Sequence, residues 1–148
     1  MSESRMVDKN SMRSGAGLSA VVLLLGFIFQ GTAGIVAVLA MLVALGIGSL
    51  AGLRFSPLGA TYRAVKKALR LSIPVDPEPE PPPRFAQTLG FVVLGLASAT
   101  FAAFGNGSAL GWTLALLVAG LQGLLASTGL CIGCEIYLYT RRFTAKEA

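Results

Sequence analysis

Long apolar runs separated by short polar breaks dominate the chain. Four of them, 15–30, 34–53, 86–104 and 110–130, approach the ~20 residues that carry a helix across ~30 Å of hydrocarbon. The first is short and needs tilt or flanking residues to span. Gln30-Gly31-Thr32 and the stretch around Gly105 read as tight turns, so the runs pair into hairpins. The pattern predicts an all-α fold: an integral membrane four-helix bundle built from two transmembrane hairpins, in one domain over 1–148. A basic start ahead of Leu18 to Phe29 resembles a signal peptide, but the second run follows at once, and the first is expected to be retained as a span.

The loop between the hairpins divides in two. Ser56-Pro57 offers an N-cap and a helix-compatible proline, and Leu58, Tyr62, Val65 and Leu69 then recur at helical spacing. Arg63, Lys66, Lys67 and Arg70 fall on another face. This predicts an amphipathic helix over 57–71 lying in the inner membrane interface, with those four residues binding lipid headgroups. A docking surface for an acidic soluble partner is the other reading. The Pro-rich run 74–83 predicts an extended, polyproline-like strap that spaces the hairpins.

The hairpins look like copies. Val7-Asp8 and Arg13 precede the first as Val75-Asp76 and Arg84 precede the second, and Gly52-Leu53 ends one as Gly129-Leu130 ends the other. Such a repeat implies a pseudo-twofold axis along the membrane normal.

Composition strengthens the membrane reading, since 54% of the residues are apolar and 13% charged, about half the charge of a soluble domain. Every Lys and Arg lies before the first run, between the second and third, or after the fourth. The positive-inside rule then puts both termini and the middle loop on the cytoplasmic side of the membrane. Trp112 suits an outer interfacial anchor, and Tyr137 and Tyr139 an inner one. The net charge of +5 fits anionic membrane lipid and calls for no nucleic acid.

Chemistry concentrates in Cys131-Ile132-Gly133-Cys134-Glu135. The chain has two cysteines and no histidine, which excludes a Ser-His-Asp triad, a haem His and a zinc-protease motif. Structural zinc needs four ligands, so no metal site is expected, although two thiolates could hold Cu(I). The candidate catalytic residues are Cys131, Cys134 and Glu135, the last as a proton acceptor; two small cysteines packed in a bundle are the bland alternative. A helix unbroken from Trp112 to Arg141 would rise roughly 43 Å and hold Cys131 roughly 15 Å above Arg141. A break at Gly129 would instead put Cys131 at a helix N-terminus, where the dipole favours the thiolate.

These residues resemble a bacterial membrane-protein family, domain of unknown function 4395. The likeness rests on Asp8 and Arg13 before the first span, Gly52-Leu53-Arg54-Phe55-Ser56-Pro57 after the second, and Arg84-Phe85-Ala86-Gln87 at the third. Cys131 to Glu135 with Tyr137, Arg141 and Arg142 is its most specific part. The resemblance implies association with thioredoxin-like or sulfurtransferase proteins, hence thiol-redox or sulfur handling through a dithiol near the cytoplasmic face. The competing expectations are a non-enzymatic scaffold subunit of a larger membrane complex and a small transporter for a sulfur compound or metal. Quinone-linked thiol oxidoreductases also carry a CxxC in a four-helix membrane bundle, but they place it toward the outer side and use a second cysteine pair. No cofactor is identified, and whether the chain is an enzyme stays open.

Overall fold

The computed structural model describes residues 5–147. Among them, in chain order, are strand β1 (Met6–Asp8), helices α1 (Lys9–Phe29) and α2 (Gly31–Leu50), a 3-10 turn (Leu53–Phe55), and α3 (Pro57–Ala68). Strand β2 (Pro77–Pro79) and helices α4 (Pro81–Phe104), α5 (Ala109–Thr128) and α6 (Ile132–Glu147) follow. Helices α1, α2, α4 and α5 are each long and apolar enough to cross a membrane.

Local chemistry sets the ends of these helices. Asp8 caps α1, its carboxylate accepting from the Asn10 N–H at 3.1 Å, and Ser108 caps α5 by accepting from the Gly111 N–H at 3.2 Å. Prolines 81 to 83 form the first turn of α4, where a helix needs no donated N–H. The strap expected over 74–83 is therefore extended through β2 and gives way to that turn at Pro81. Strand β2 pairs antiparallel with β1, Val7 opposite Glu78. Proline cannot donate to a ladder, and the flanking residues supply bonds instead: Glu80 N–H to Arg5 O at 2.8 Å and Lys9 N–H to Asp76 O at 2.9 Å.

Helix α1 packs chiefly on α5 and α2 chiefly on α4, while α1 with α2 and α4 with α5 complete a four-membered ring. Helix α3 leans on α1 and α6 on α4, so the two halves of the chain correspond element by element. The four glycines at positive φ form two matching pairs: Gly31 and Gly105 between the long helices of each half, Gly52 and Gly129 after the second. The spacing from Arg13 to Arg84 is also that from Val7 to Glu78, which pair at the centre of the ribbon. Glu78, and not Val75, is thus the counterpart of Val7.

Leu23, Val38, Leu45 and Leu94 are fully buried in the centre of the ring. Trp112 is 4% exposed, between Phe27 and Phe101 at ring-centroid distances of 5.7 and 5.0 Å, and its Nε1 donates to Asn106 O at 2.8 Å. The expected interfacial anchor packs inside the ring instead of facing outward, because Phe27 and Phe101 enclose its ring while a carbonyl of the turn between α4 and α5 takes its indole N–H. Around the outside, Ile28, Phe29, Val43, Leu50 and Phe104 are exposed, an apolar belt far beyond what a water-soluble monomer presents. In α3, Leu58 is buried and Tyr62 half-buried, while Val65 and, just past the helix, Leu69 stand exposed.

Candidate functional site

The end of α5 builds the site. Gly129, at φ 75°, stops the helix while its N–H still bonds Leu125 O at 2.9 Å, so the unbroken helix from Trp112 to Arg141 does not form. A left-handed residue at this point costs glycine nothing. Arg13 from α1 donates through Nη2 to Ala126 O at 3.1 Å and Ser127 O at 3.3 Å, a cation at the negative end of a helix. Leu130 N–H bonds Thr128 Oγ1 at 3.2 Å, and the chain enters α6.

Cys131 stands at the N-cap of α6. Its carbonyl accepts the first helical bond, from Glu135 N–H at 3.0 Å, and its sulfur accepts from Cys134 N–H at 3.3 Å. That position usually belongs to Ser, Thr, Asp or Asn; here a sulfur takes it and faces the positive end of the dipole. The Cys134 thiol also donates to Cys131, and this bond is the main reason the Cys131 thiol falls from its ordinary 9.0 to about 7. Backbone N–H groups of Cys134 and Gly133 help, while burial and the charge of Glu78 oppose. Cys134 moves the other way, raised first by its bond to Cys131, then by burial and by the charges of Cys131, Glu78 and Glu135. Cys131 is half-exposed and Cys134 buried, so one thiol is reachable and ionisable and the other is held behind it as a neutral donor.

Gly133 fixes the depth of both. A Cβ at this residue would lie 2.6 Å from Ala86 Cβ and 2.8 Å from Ala86 Cα, so α6 rests directly on the α4 backbone. Glu135 is exposed and lines a hollow of about 430 Å³ with Lys9, Glu78 and both cysteines. Sequence reasoning missed Glu78, which β2 carries over the thiols, and Arg13, which holds the turn before them. The matched positions of Arg13 and Arg84 were the available signal for one; the Pro-Glu-Pro alternation was the signal for the other.

The four basic residues expected at lipid headgroups part company. Arg63 donates to Arg54 O at 3.0 Å and Lys66 to Ile73 O at 2.6 Å, and both line a cavity of about 770 Å³ that reaches Cys131. Lys67 and Arg70 are exposed and stand away from its wall. Glu80, also missed, is 8% exposed on that wall, where its Oε1 accepts from Leu53 N–H at 3.0 Å. Among the described residues no cluster of three or more His, Cys, Asp or Glu could hold a metal ion.

The family model described as a domain of unknown function, DUF4395, matches residues 7–142. Neither the curated proteins nor the solved structures contain a match.

Proposed function

We propose that this chain, which belongs to the DUF4395 family, is a membrane-embedded thiol exchanger that trades two electrons with a soluble thioredoxin-like or sulfurtransferase partner. The observation that carries this reading is the asymmetry of the pair: a half-exposed Cys131 sulfur at a helix N-cap with its thiol at about 7, backed by a buried Cys134 raised above its ordinary value. Reactive thiols are those whose thiolate is available near working pH.

In the reaction the Cys131 thiolate attacks a partner disulfide, forming a mixed disulfide and releasing one partner thiolate. Cys134 then loses its proton to water or to Glu135 and attacks the Cys131 sulfur. The Cys131–Cys134 disulfide forms, the second partner sulfur leaves as thiolate, and two electrons have passed to the partner. A dithiol partner runs the same steps in reverse. Sulfur handling would use the same first step on a persulfide: Cys131 takes the outer sulfur and the partner leaves as its thiolate.

The basic distribution supports the topology that this reaction requires. Two transmembrane hairpins stand side by side in a bacterial inner membrane, with the thiols, α3 and both termini toward the cytoplasm. Helix α3 would lie in the inner interface. Basic residues there would also attract anionic lipid or an acidic partner surface.

Thiol trapping in intact cells tests the reading, with membrane-permeant and impermeant maleimides applied before and after reduction. Cycling between dithiol and disulfide, labelling by the permeant reagent alone, and a mixed disulfide captured by Cys134→Ser are expected. Thiols that stay reduced and unreactive under every condition would end the exchange hypothesis and leave a packed scaffold.

A further inference from the structure

A cavity of the bundle has a polar mouth and an apolar depth. It runs between α1 and α4, flanked by α3 on one side and α6 on the other, and its wall includes Cys131. From the mouth it descends along α5 past Leu121 to Val118, about 15 Å from the Thr128 end, which is half the ~30 Å hydrocarbon layer. Its volume of about 770 Å³ suits one ligand-sized molecule, and its reach matches the depth of one leaflet.

Charge at the mouth is selective. Arg5, Arg54, Arg63 and Lys66 line it against Asp8 and Glu80, and both acids are already engaged by backbone donors. Asp8 Oδ1 accepts from Asn10 and Asp76 N–H, at 3.1 and 3.3 Å, and Glu80 Oε1 from Leu53 N–H at 3.0 Å. Each of Arg63 and Lys66 keeps further N–H donors after its one carbonyl bond. The Tyr62 hydroxyl, on the same wall, is buried and has no hydrogen-bond partner among the described residues. A buried donor without an acceptor is costly, and an anionic oxygen at the mouth would satisfy it.

We propose that this cavity is a binding site for a single-chain anionic amphiphile. Its carboxylate or phosphate sits at Tyr62, Arg63 and Lys66, and its chain descends between α1 and α4 toward Val118. The site does not depend on thiol exchange, because Cys131 serves here only as a reporter on the cavity wall. The basic residues along and just after α3 then separate into two pairs, Arg63 and Lys66 holding this ligand while Lys67 and Arg70 face outward.

The test uses the full chain in phosphatidylcholine nanodiscs and follows Cys131 alkylation by N-ethylmaleimide with peptide-resolved mass spectrometry. Oleate is the probe, oleyl alcohol its neutral counterpart, and two-chain phosphatidylglycerol supplies the same added charge at the bilayer surface. Oleate at about ten times its Kd should lower the alkylation rate saturably, by up to about tenfold, because an occupied cavity closes the side of Cys131 that opens on it. The alcohol and phosphatidylglycerol should leave the rate within about twofold. Protection should disappear in Arg63→Gln/Lys66→Gln and persist in Lys67→Gln/Arg70→Gln. No protection by oleate, equal protection by the alcohol, or equal protection by phosphatidylglycerol would each overturn the proposal. The first comparison needs no variant and so does not depend on how the substituted chains fold. Failure here leaves the thiol-trapping result untouched, and failure of thiol exchange leaves this site standing.

Discussion

Arg13 and Arg84 hold reciprocal positions, each tying down a helix that belongs to the other half of the chain. Arg13 in α1 donates to Ala126 O and Ser127 O at the end of α5. Arg84 in α4 donates to Ser49 O at 2.8 Å and Leu50 O at 3.0 Å at the end of α2. A helix end leaves its last carbonyls unpaired, and in a lipid-facing bundle an arginine from the neighbouring helix satisfies them. Loss of either cation by substitution with Gln should cost about 1–3 kcal/mol, the range for bonds to charged groups. Arg13→Lys should recover part of it. Unfolding in nanodiscs, compared across the four single Gln and Lys variants, checks this; a neutral Arg13→Gln would mean that the carbonyls find water as readily.

Gly133 should resist any side chain. A Cβ there meets both Cβ and Cα of Ala86, and trimming Ala86 to glycine removes only the first of these contacts. Gly133→Ala should therefore lose about 1–3 kcal/mol by overpacking, with little rescue from Ala86→Gly. The same unfolding assay reads it, and full rescue would show that α6 slides on α4 more freely than the geometry allows.

The four long helices were legible because a helix that crosses lipid must stay apolar for ~20 residues, so 15–30, 34–53, 86–104 and 110–130 announce α1, α2, α4 and α5 despite shifts of a few residues at most ends. The thiols were legible as a motif, and the break at Gly129 as one of two alternatives. Three features were hidden. Pro77 and Pro79 mask a strand whose partner lies far back in the chain, at Met6 to Asp8. Glu78 reaches the cysteines only through that pairing. Trp112 carries the same sequence signature whether it sits at an interface or in a core; what decides is the position of Phe27, Phe101 and Asn106 O, which no local pattern encodes.

Gly129 is followed by a cap that works, and Gly52 by one that does not. Ser56 stands before α3 as Cys131 stands before α6, yet the Ser56 side chain makes no capping bond and its hydroxyl is buried without a partner among the described residues. Ser56→Ala should be neutral or slightly stabilising, since removing a buried unsatisfied hydroxyl relieves its desolvation. Cys131→Ala should lose about 0.5–2 kcal/mol, as an N-cap does. Equal effects at the two sites would deny the sulfur its role as a cap.

The thiol chemistry makes a prediction about pH with a definite sign. Cys131 lies at about 7 against an ordinary 9.0, so its alkylation rate should rise through a midpoint near pH 7 and level off above it, following the thiolate. Because the folded chain favours the thiolate, the contribution of Cys131 to stability is full above 9.0 and is lost as pH falls through about 7. The leading cause is the hydrogen bond from the Cys134 thiol. Cys134→Ala deletes that donor and should move the midpoint up toward 9.0, whereas Cys134→Ser keeps an O–H donor and should stay nearer the wild type. Rates measured with iodoacetamide between about pH 5 and about pH 10 span both limits of the titration. A wild-type midpoint at the ordinary thiol value, or an alanine variant indistinguishable from wild type, would mean that the N-cap and its buried neighbour do not activate Cys131, and the exchange mechanism would lose its nucleophile.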